Sequence, residues 1–268
     1  LKSGFEEQIM MKAHHMATYD SPEAGDYLST YVRSHAIKEY IDLIQETKRL
    51  CTIPIIASIN CFSSSEWTDF ARTMQDAGAD ALELNILSLQ TEKEYQYGAF
   101  EQRHIDILSS VKKHVSIPVI IKLGTNLTNP IALINQLYAN GAAAVVLFNR
   151  FYQPDINIET KSYSSGEVFS HPSDLANGLR WTAIASAQVP QIDYAISGVH
   201  DGKAMVKAIL AGASAVEVCS VIYQKGENFI ESMTEELSEW MKKQGYNTIS
   251  EFKSEMNALS TGESNPFE

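Results

Sequence analysis

The residues of this chain best suited to chemistry fall at the ends of apolar runs. In chain order they are Lys2-Ser3, Asn60, Asn85, Lys122, Asn149-Arg150, Ser197-Gly198 and Cys219-Ser220. An asparagine side chain carries both a donor and an acceptor, so several converging on one cavity suit a flat, amide-rich ligand. Lysines deep in such a cavity suit an anion or a developing negative charge. Glycine beside small residues leaves backbone N–H groups free to hold a phosphate. Singly, each residue has a plainer role: a strand-end Asn turns the chain, Lys122 is a solvated loop residue, Gly198 is a turn and Cys219 a small core residue. Their recurrence at the same end of successive runs is what points to a site. These run ends show no carboxylate pair, and the chain has no HExxH and no His spacing with Cys or Glu that suits a metal. His171 and His200 are secondary site candidates. The stretch ALELNILSLQ (81–90) adds Ser88 and Gln90 just after Asn85. Ser88 reads either as a turn residue with its hydroxyl on the backbone or as a reactive group.

The elements that must position these residues come from repeated patterns. DAGADALELN (76–85), ANGAAAVVLFN (139–149) and LAGASAVEVCS (210–220) each close a helix on Gly78, Gly141 or Gly212 and enter an apolar run that ends on polar residues. Those glycines fit the helix C-cap, where φ is positive. TIPIIASIN (52–60) and SIPVIIKLG (116–124) place Pro54 and Pro118 where a strand tolerates proline, at its start. With IDYAISG (192–198), the spacing predicts strands near 54–60, 80–86, 118–124, 142–149, 192–197 and 214–219. Helices are expected between them over 66–77, 98–114, 130–140, 173–187 and 201–211. Near-continuous apolar strands alternating with helices indicate an α/β fold with a parallel sheet. The repeated unit, with no GxGxxG after any strand, favours a (β/α)8 TIM barrel over an open Rossmann sheet. Six full strands are countable, and the chain opens on LKSGFEEQI, so the first strand or strands of the barrel are expected to precede Leu1. Segments 12–35 and 153–172 are polar and rich in Gly, Ser and Tyr; both are expected to be long loops of the kind that form lids. A helix over 227–244 presents Phe229, Ile230, Met233, Leu237, Trp240 and Met241 on one face and should pack on the barrel, making 1–268 one domain.

Composition narrows the function classes. A chain of 268 residues with 44% hydrophobic content can bury the core of a single barrel. Its net charge of −12 argues against nucleic acid or an anionic membrane as the main partner. No apolar run approaches the ~20 residues of a membrane helix. Cys51, Cys61 and Cys219 form an odd set without CxxC, which favours a reduced, cytoplasmic setting over a disulfide framework.

Beyond these local readings, LKSGFEEQI, PIIASIN, DAGADALELN, IPVIIKL, VVLFNRFYQPDI, LRWTAIA and ISGVHDGKAMVKAILAGA resemble the dihydroorotate dehydrogenase-like flavoproteins, closest to their class 1-like branch. The likeness runs over essentially the whole chain, and LFNRFYQPDI (147–156) is its most specific segment. It implies an FMN-binding barrel, with the phosphate held near the last two strands. By position, Lys2, Ser3, Asn85 and Lys122 match residues at the flavin, with Asn85 lying between flavin and substrate; Asn60, which ends a strand in the same manner, is expected to join them in binding the cofactor. Asn149 matches a substrate-binding Asn. Ser197, Gly198, Cys219 and Ser220 match the phosphate-binding turns. Ser88 falls on the position of the base that takes a proton while a hydride leaves for the flavin, and Lys2 joins it in the catalytic set. Gln90 stands where the family has a second substrate-binding Asn, and Arg150 where class 1 enzymes carry Ser.

The chain departs from the family pattern at Leu87 and Leu89, where a small residue and a proline are expected, and has one glycine where the phosphate turn has two. The resemblance implies a small-molecule enzyme, a homodimer that oxidises dihydroorotate to orotate in pyrimidine biosynthesis. Fumarate, NAD through a partner subunit and quinone are all open as electron acceptors. Two rival readings stand beside it: a flavin oxidoreductase acting on another dihydropyrimidine-like or anionic compound, and a barrel that has lost the activity.

Overall fold

A computed structural model describes residues 22–61 and 64–259. Its main sheet has six parallel strands: β1 (Ile56–Ile59), β2 (Ala81–Ile86), β3 (Val119–Gly124), β4 (Ala144–Asn149), β7 (Asp193–Ile196) and β8 (Ala215–Val216), in the order β1-β2-β3-β4-β7-β8. Helices α1 (Pro22–Leu50), α2 (Ser64–Asp76), α3 (Ala99–Lys112), α4 (Pro130–Ala139), α5 (Leu175–Gln188) and α6 (Gly202–Ala211) alternate with them, followed by α7 (Ser220–Lys225) and α8 (Phe229–Gln244). Every strand expected from the sequence is present, with ends trimmed by a few residues. This is a partial (β/α) barrel. Among the described residues β1 and β8 each pair on one side only, so the ring is two strands short of eight.

The sheet is curled. In a flat sheet β3 and β8, with β4 and β7 between them, would lie about 14 Å apart. Instead Lys122 Nζ reaches Glu217 Oε2, just past β8, at 2.5 Å. Strand alternation sends one set of side chains outward under the helices: Leu82, Leu84, Val119, Ile121, Leu123, Val145, Leu147 and Ile196 are fully buried there. Each such side chain contributes about 1.5–3 kcal/mol of burial. The other set, including Ser58, Glu83, Asn85 and Lys122, faces the concave side and is largely polar.

Local signals fix the element ends. Gly78, Gly141 and Gly212 have φ of 101°, 86° and 117°, the positive values expected of C-caps. At the start of α4, Asn129 accepts a hydrogen bond from the Ala132 N–H and Pro130 takes the first helical position. Asp201 caps α6 in the same way through the Ala204 N–H at 2.7 Å.

Two expectations change. Residues 22–35, expected within a polar loop, belong to the 29-residue helix α1. Pro22 is compatible with a first helical turn, and Glu23, Ala24, Leu28 and Arg33 are good helix formers, so polarity alone did not mark a loop. Residues 12–21 lie outside the described residues. The 153–172 segment is not an open loop: it folds into an antiparallel hairpin, β5 (Pro154–Asn157) and β6 (Ser162–Ser165). Helix α8 packs closely on α6, burying Met233 and Leu237, while Trp240 stacks with Tyr246 and meets Phe252 edge-on.

Candidate functional site

Asn85 lies on the concave side of β2, beside Lys122 on β3. Strict alternation from Ala144 and Val146 would point Asn149 outward, under the helices. A register shift prevents this: Leu123 pairs with Leu147, but Gly124 pairs with Asn149, leaving Phe148 as the extra residue. One inserted residue turns the next side chain to the other face. Asn149 therefore joins the concave side and its Nδ2 donates to Asn85 Oδ1 at 2.8 Å.

Gly124 makes room for what covers this pair. A Cβ there would sit 2.8 Å from Asn126 Oδ1 and 2.9 Å from Leu87 Cδ1. The 87–90 loop is thus pressed onto the end of β3. Its Ser88 carbonyl accepts from Asn126 Nδ2 at 2.9 Å, and its Ser88 Oγ accepts from Gln90 Nε2 at 3.1 Å. Ser88 is half-buried and Gln90 exposed.

Deeper on the concave side lies a charged network that the reading of strand ends missed. Lys122 Nζ is 2.5 Å from Glu217 Oε2 and 3.7 Å from Glu83 Oε1. Ser58 Oγ donates to Glu83 Oε1 at 2.6 Å, and Tyr40 OH bridges the Ser58 backbone, donating to its carbonyl and accepting from its N–H. Burial works against the Lys122 charge, but Glu217 and Glu83 outweigh it and hold the ammonium above its usual range. Burial, reinforced by the neighbouring Glu83, pushes the Glu217 carboxyl up to about 7, with Lys122 opposing. The strand ends showed no carboxylate pair, yet one exists a step below them. A signal was available: Glu83 and Glu217 each stand five residues after a helix-capping glycine, Gly78 and Gly212, so the repeat puts them at one depth.

The remaining predicted residues are placed as follows. Asn60 is exposed just past β1. Ser197 Oγ donates to the Phe148 carbonyl, and Gly198 has φ of 76°. Cys219 is exposed in the turn after β8, next to Ser220, which opens α7. Ser220 Oγ accepts from both Ser170 N and Ser170 Oγ at 2.9 Å, and the same Ser170 Oγ lies 2.9 Å from His200 Nε2. The turns after β7 and β8 therefore meet the segment that follows the hairpin. Arg150 faces that segment too, its Nη2 donating to the Glu167 and Val168 carbonyls at 2.7 Å. His171 pairs with Glu167 at the surface. Lys2 and Ser3 lie outside the described residues. The structure thus brings together Asn85, Asn149 and Lys122, with Ser88 and Gln90 on the loop above. It sets Ser197, Gly198, Cys219 and Ser220 at the ends of the last two strands.

The sequence profile described as dihydroorotate dehydrogenase matches residues 26–241. The chain is 28% identical over 218 residues to the protein named dihydroorotate dehydrogenase B (NAD(+)), catalytic subunit, of Thermoplasma volcanium, covering 80% of this chain and 70% of that protein. The protein of the same name from Thermoplasma acidophilum is 26% identical over 241 residues, covering 86% and 79%. The one from Methanocaldococcus jannaschii is 27% identical over 218 residues, covering 78% and 70%. A match of that extent, on a partial barrel whose strand ends gather these amides and this lysine, makes the chain a member of the dihydroorotate dehydrogenase family, whose enzymes are oxidoreductases acting on CH–CH groups.

Proposed function

We propose that this chain is the FMN-dependent barrel of an enzyme that oxidises dihydroorotate to orotate in pyrimidine biosynthesis, working in the cytoplasm as a homodimer. The observation that carries the reading is the Asn85–Asn149 pair beside Lys122, at the strand ends of a chain of this family.

The donor set suits FMN. The amides of Asn60 and Asn85 match the carbonyl and N–H edges of a flavin, and the Lys122 ammonium suits its electron-rich end. Ser197, Gly198, Cys219 and Ser220 bracket the turns that would hold the phosphate. Lys2 and Ser3 would complete the set from outside the described residues. When bound, FMN supplies the two-electron acceptor for the hydride leaving the substrate.

The chain's own residues do the rest. Asn149, Asn85 and Gln90 offer the donors and acceptors that hold a ring bearing imide and carboxylate groups. Lys2 and Lys122 stabilise negative charge. Ser88 Oγ takes the proton as its own hydroxyl proton passes to solvent, its oxygen oriented by the Gln90 Nε2 donor. Arg150 ties down the segment that follows the hairpin. Among the described residues no helix is long and apolar enough to cross a membrane. The relatives named as NAD(+) catalytic subunits support NAD as the final electron acceptor, reached through a partner subunit.

The test is to mix the full chain with FMN and dihydroorotate in the absence of oxygen. Bleaching of the oxidised flavin band is expected. An unbleached band would rule out dihydroorotate as substrate. A second reading, a different dihydropyrimidine or anionic substrate, is favoured by one observation: among the described residues no imidazole or carboxylate is bonded to Ser88 Oγ, and serine is a weak base without one. A screen of candidate reductants by the same bleaching separates the two.

A further inference from the structure

We propose that Glu217 is a positioning residue for Lys122, and that Glu217 and Glu83 hold one proton between them which decides whether the Lys122 ammonium is free to meet an anionic ligand. The ligand half of this proposal rests on the flavin reading above.

The geometry sets two carboxyl groups against one ammonium. Lys122 Nζ contacts Glu217 Oε2 at 2.5 Å and Glu83 Oε1 at 3.7 Å. Among the described residues, those that meet the cluster are Tyr40 from α1, Ser58 from β1, Glu83 from β2, Lys122 from β3, and Glu217 and Cys219 from the turn after β8. Among the described residues Lys122 is the one cation in that set, so there the two neighbouring carboxylates share a single counter-charge, and the pair favours keeping one proton. Which carboxyl carries it follows from the hydrogen bonds. Ser58 Oγ donates to Glu83, and Tyr40 fixes the Ser58 backbone, so Glu83 is the built acceptor of the pair. The proton falls to Glu217, whose carboxyl is pushed up to about 7 by burial and by Glu83.

With Glu217 protonated the cluster is neutral and Lys122 keeps its charge for a ligand at the strand ends. Once Glu217 loses the proton to solvent, the cluster carries one net negative charge and the ammonium is drawn down onto it. An anion above Lys122, such as FMN or its reduced form, then binds less well.

The experiment uses the full chain as wild type, Glu217→Gln, Glu217→Ala and Glu83→Gln. FMN dissociation constants come from quenching of flavin fluorescence between pH 6 and 8.5. One net charge at this range is expected to weaken wild-type binding about 3–10-fold more across that window than binding by Glu217→Gln, in which titration of FMN itself is the same. Glu217→Ala should bind weakly at every pH, with Glu217→Gln restoring affinity because its amide oxygen still holds Lys122. Equal pH slopes for wild type and Glu217→Gln would overturn the proposal, as would normal binding by Glu217→Ala. Melting of the ligand-free proteins gives an independent reading. A folded-state pKa raised from the ordinary value toward 7 adds stability below about pH 4.5 that is lost as pH rises through 7. The stability of wild type relative to Glu217→Gln should therefore fall between pH 5 and 7.5, and Glu83→Gln should make that fall shallower, since burial remains. A constant difference would overturn the shared proton. If no variant binds FMN at any pH, the flavin reading and the ligand half fail together, while melting alone decides the proton.

Discussion

Asn149 Nδ2 donates to Asn85 Oδ1 at 2.8 Å across β3, at the level where Asn149 pairs with a residue that has no side chain, Gly124. The contact exists because one extra residue, Phe148, shifts the β3–β4 register and brings Asn149 to the concave face. Asn149→Ala would remove the donor and leave the Asn85 carbonyl short of a partner, a loss of about 1–3 kcal/mol. Flavin reduction by dihydroorotate should slow roughly 5–150-fold, as read by anaerobic stopped-flow absorbance.

Ser88 sits on a loop held by Asn126 and capped by Gln90. If its hydroxyl takes the proton, Ser88→Ala should slow flavin reduction by about 10²–10⁴-fold. FMN affinity should hardly move, because the loop's backbone bond to Asn126 survives. A rate within a few-fold of wild type would make Ser88 a turn residue.

His104 is fully buried in α3, with Nδ1 donating to the Phe100 carbonyl at 2.7 Å. Burial holds its pKa below the usual histidine value, and the Phe100 carbonyl offsets this only in part. A depressed folded-state pKa favours the neutral ring, so the stability it contributes is present above about pH 6.5 and is lost as pH falls through the folded value. Melting temperature should drop by a few degrees between pH 7 and 5, and more shallowly in His104→Gln. This limb has the opposite sign to that of Glu217, so the two variants should tilt the pH profile in opposite directions.

Gly202 opens α6 where α8 crosses it. A Cβ there would lie 2.3 Å from Glu236 Cβ and 2.6 Å from the Met233 carbonyl, and the Gly202 N–H already donates to Glu236 Oε2 at 3.0 Å. Gly202→Ala should force the two helices apart and cost about 1–3 kcal/mol. The urea midpoint should fall with little change in slope, the result expected when α8 unfolds together with the barrel.

Much of the architecture was legible because its signals are local. Gly78, Gly141 and Gly212 announce helix ends through a backbone requirement that no neighbour has to supply. Pro54 and Pro118 announce strand starts, and the apolar runs after them form β1 and β3. The polar stretch 22–35 misled, because composition alone does not separate a polar helix from a loop. The hairpin Pro154–Asn157 with Ser162–Ser165 was missed for a related reason: its strands are short and exposed on both faces, so they carry no apolar alternation.

By itself, then, the sequence determined the order of strands and helices and the identity of the residues at the strand ends. In parallel strands linked by helices, each run ends on the same side, so Asn60, Asn85, Lys122 and Asn149 had to share one rim. Only the tertiary structure decided which of them meet. The bulge at Phe148 is a matter of pairing register with β3, and it alone turns Asn149 toward Asn85. Arg150 binds the Glu167 and Val168 carbonyls because the segment after the hairpin folds back over it. Glu83 and Glu217 lie far apart in the chain and at opposite sides of the sheet. Curvature brings them to a single lysine, and curvature belongs to the packed sheet as a whole.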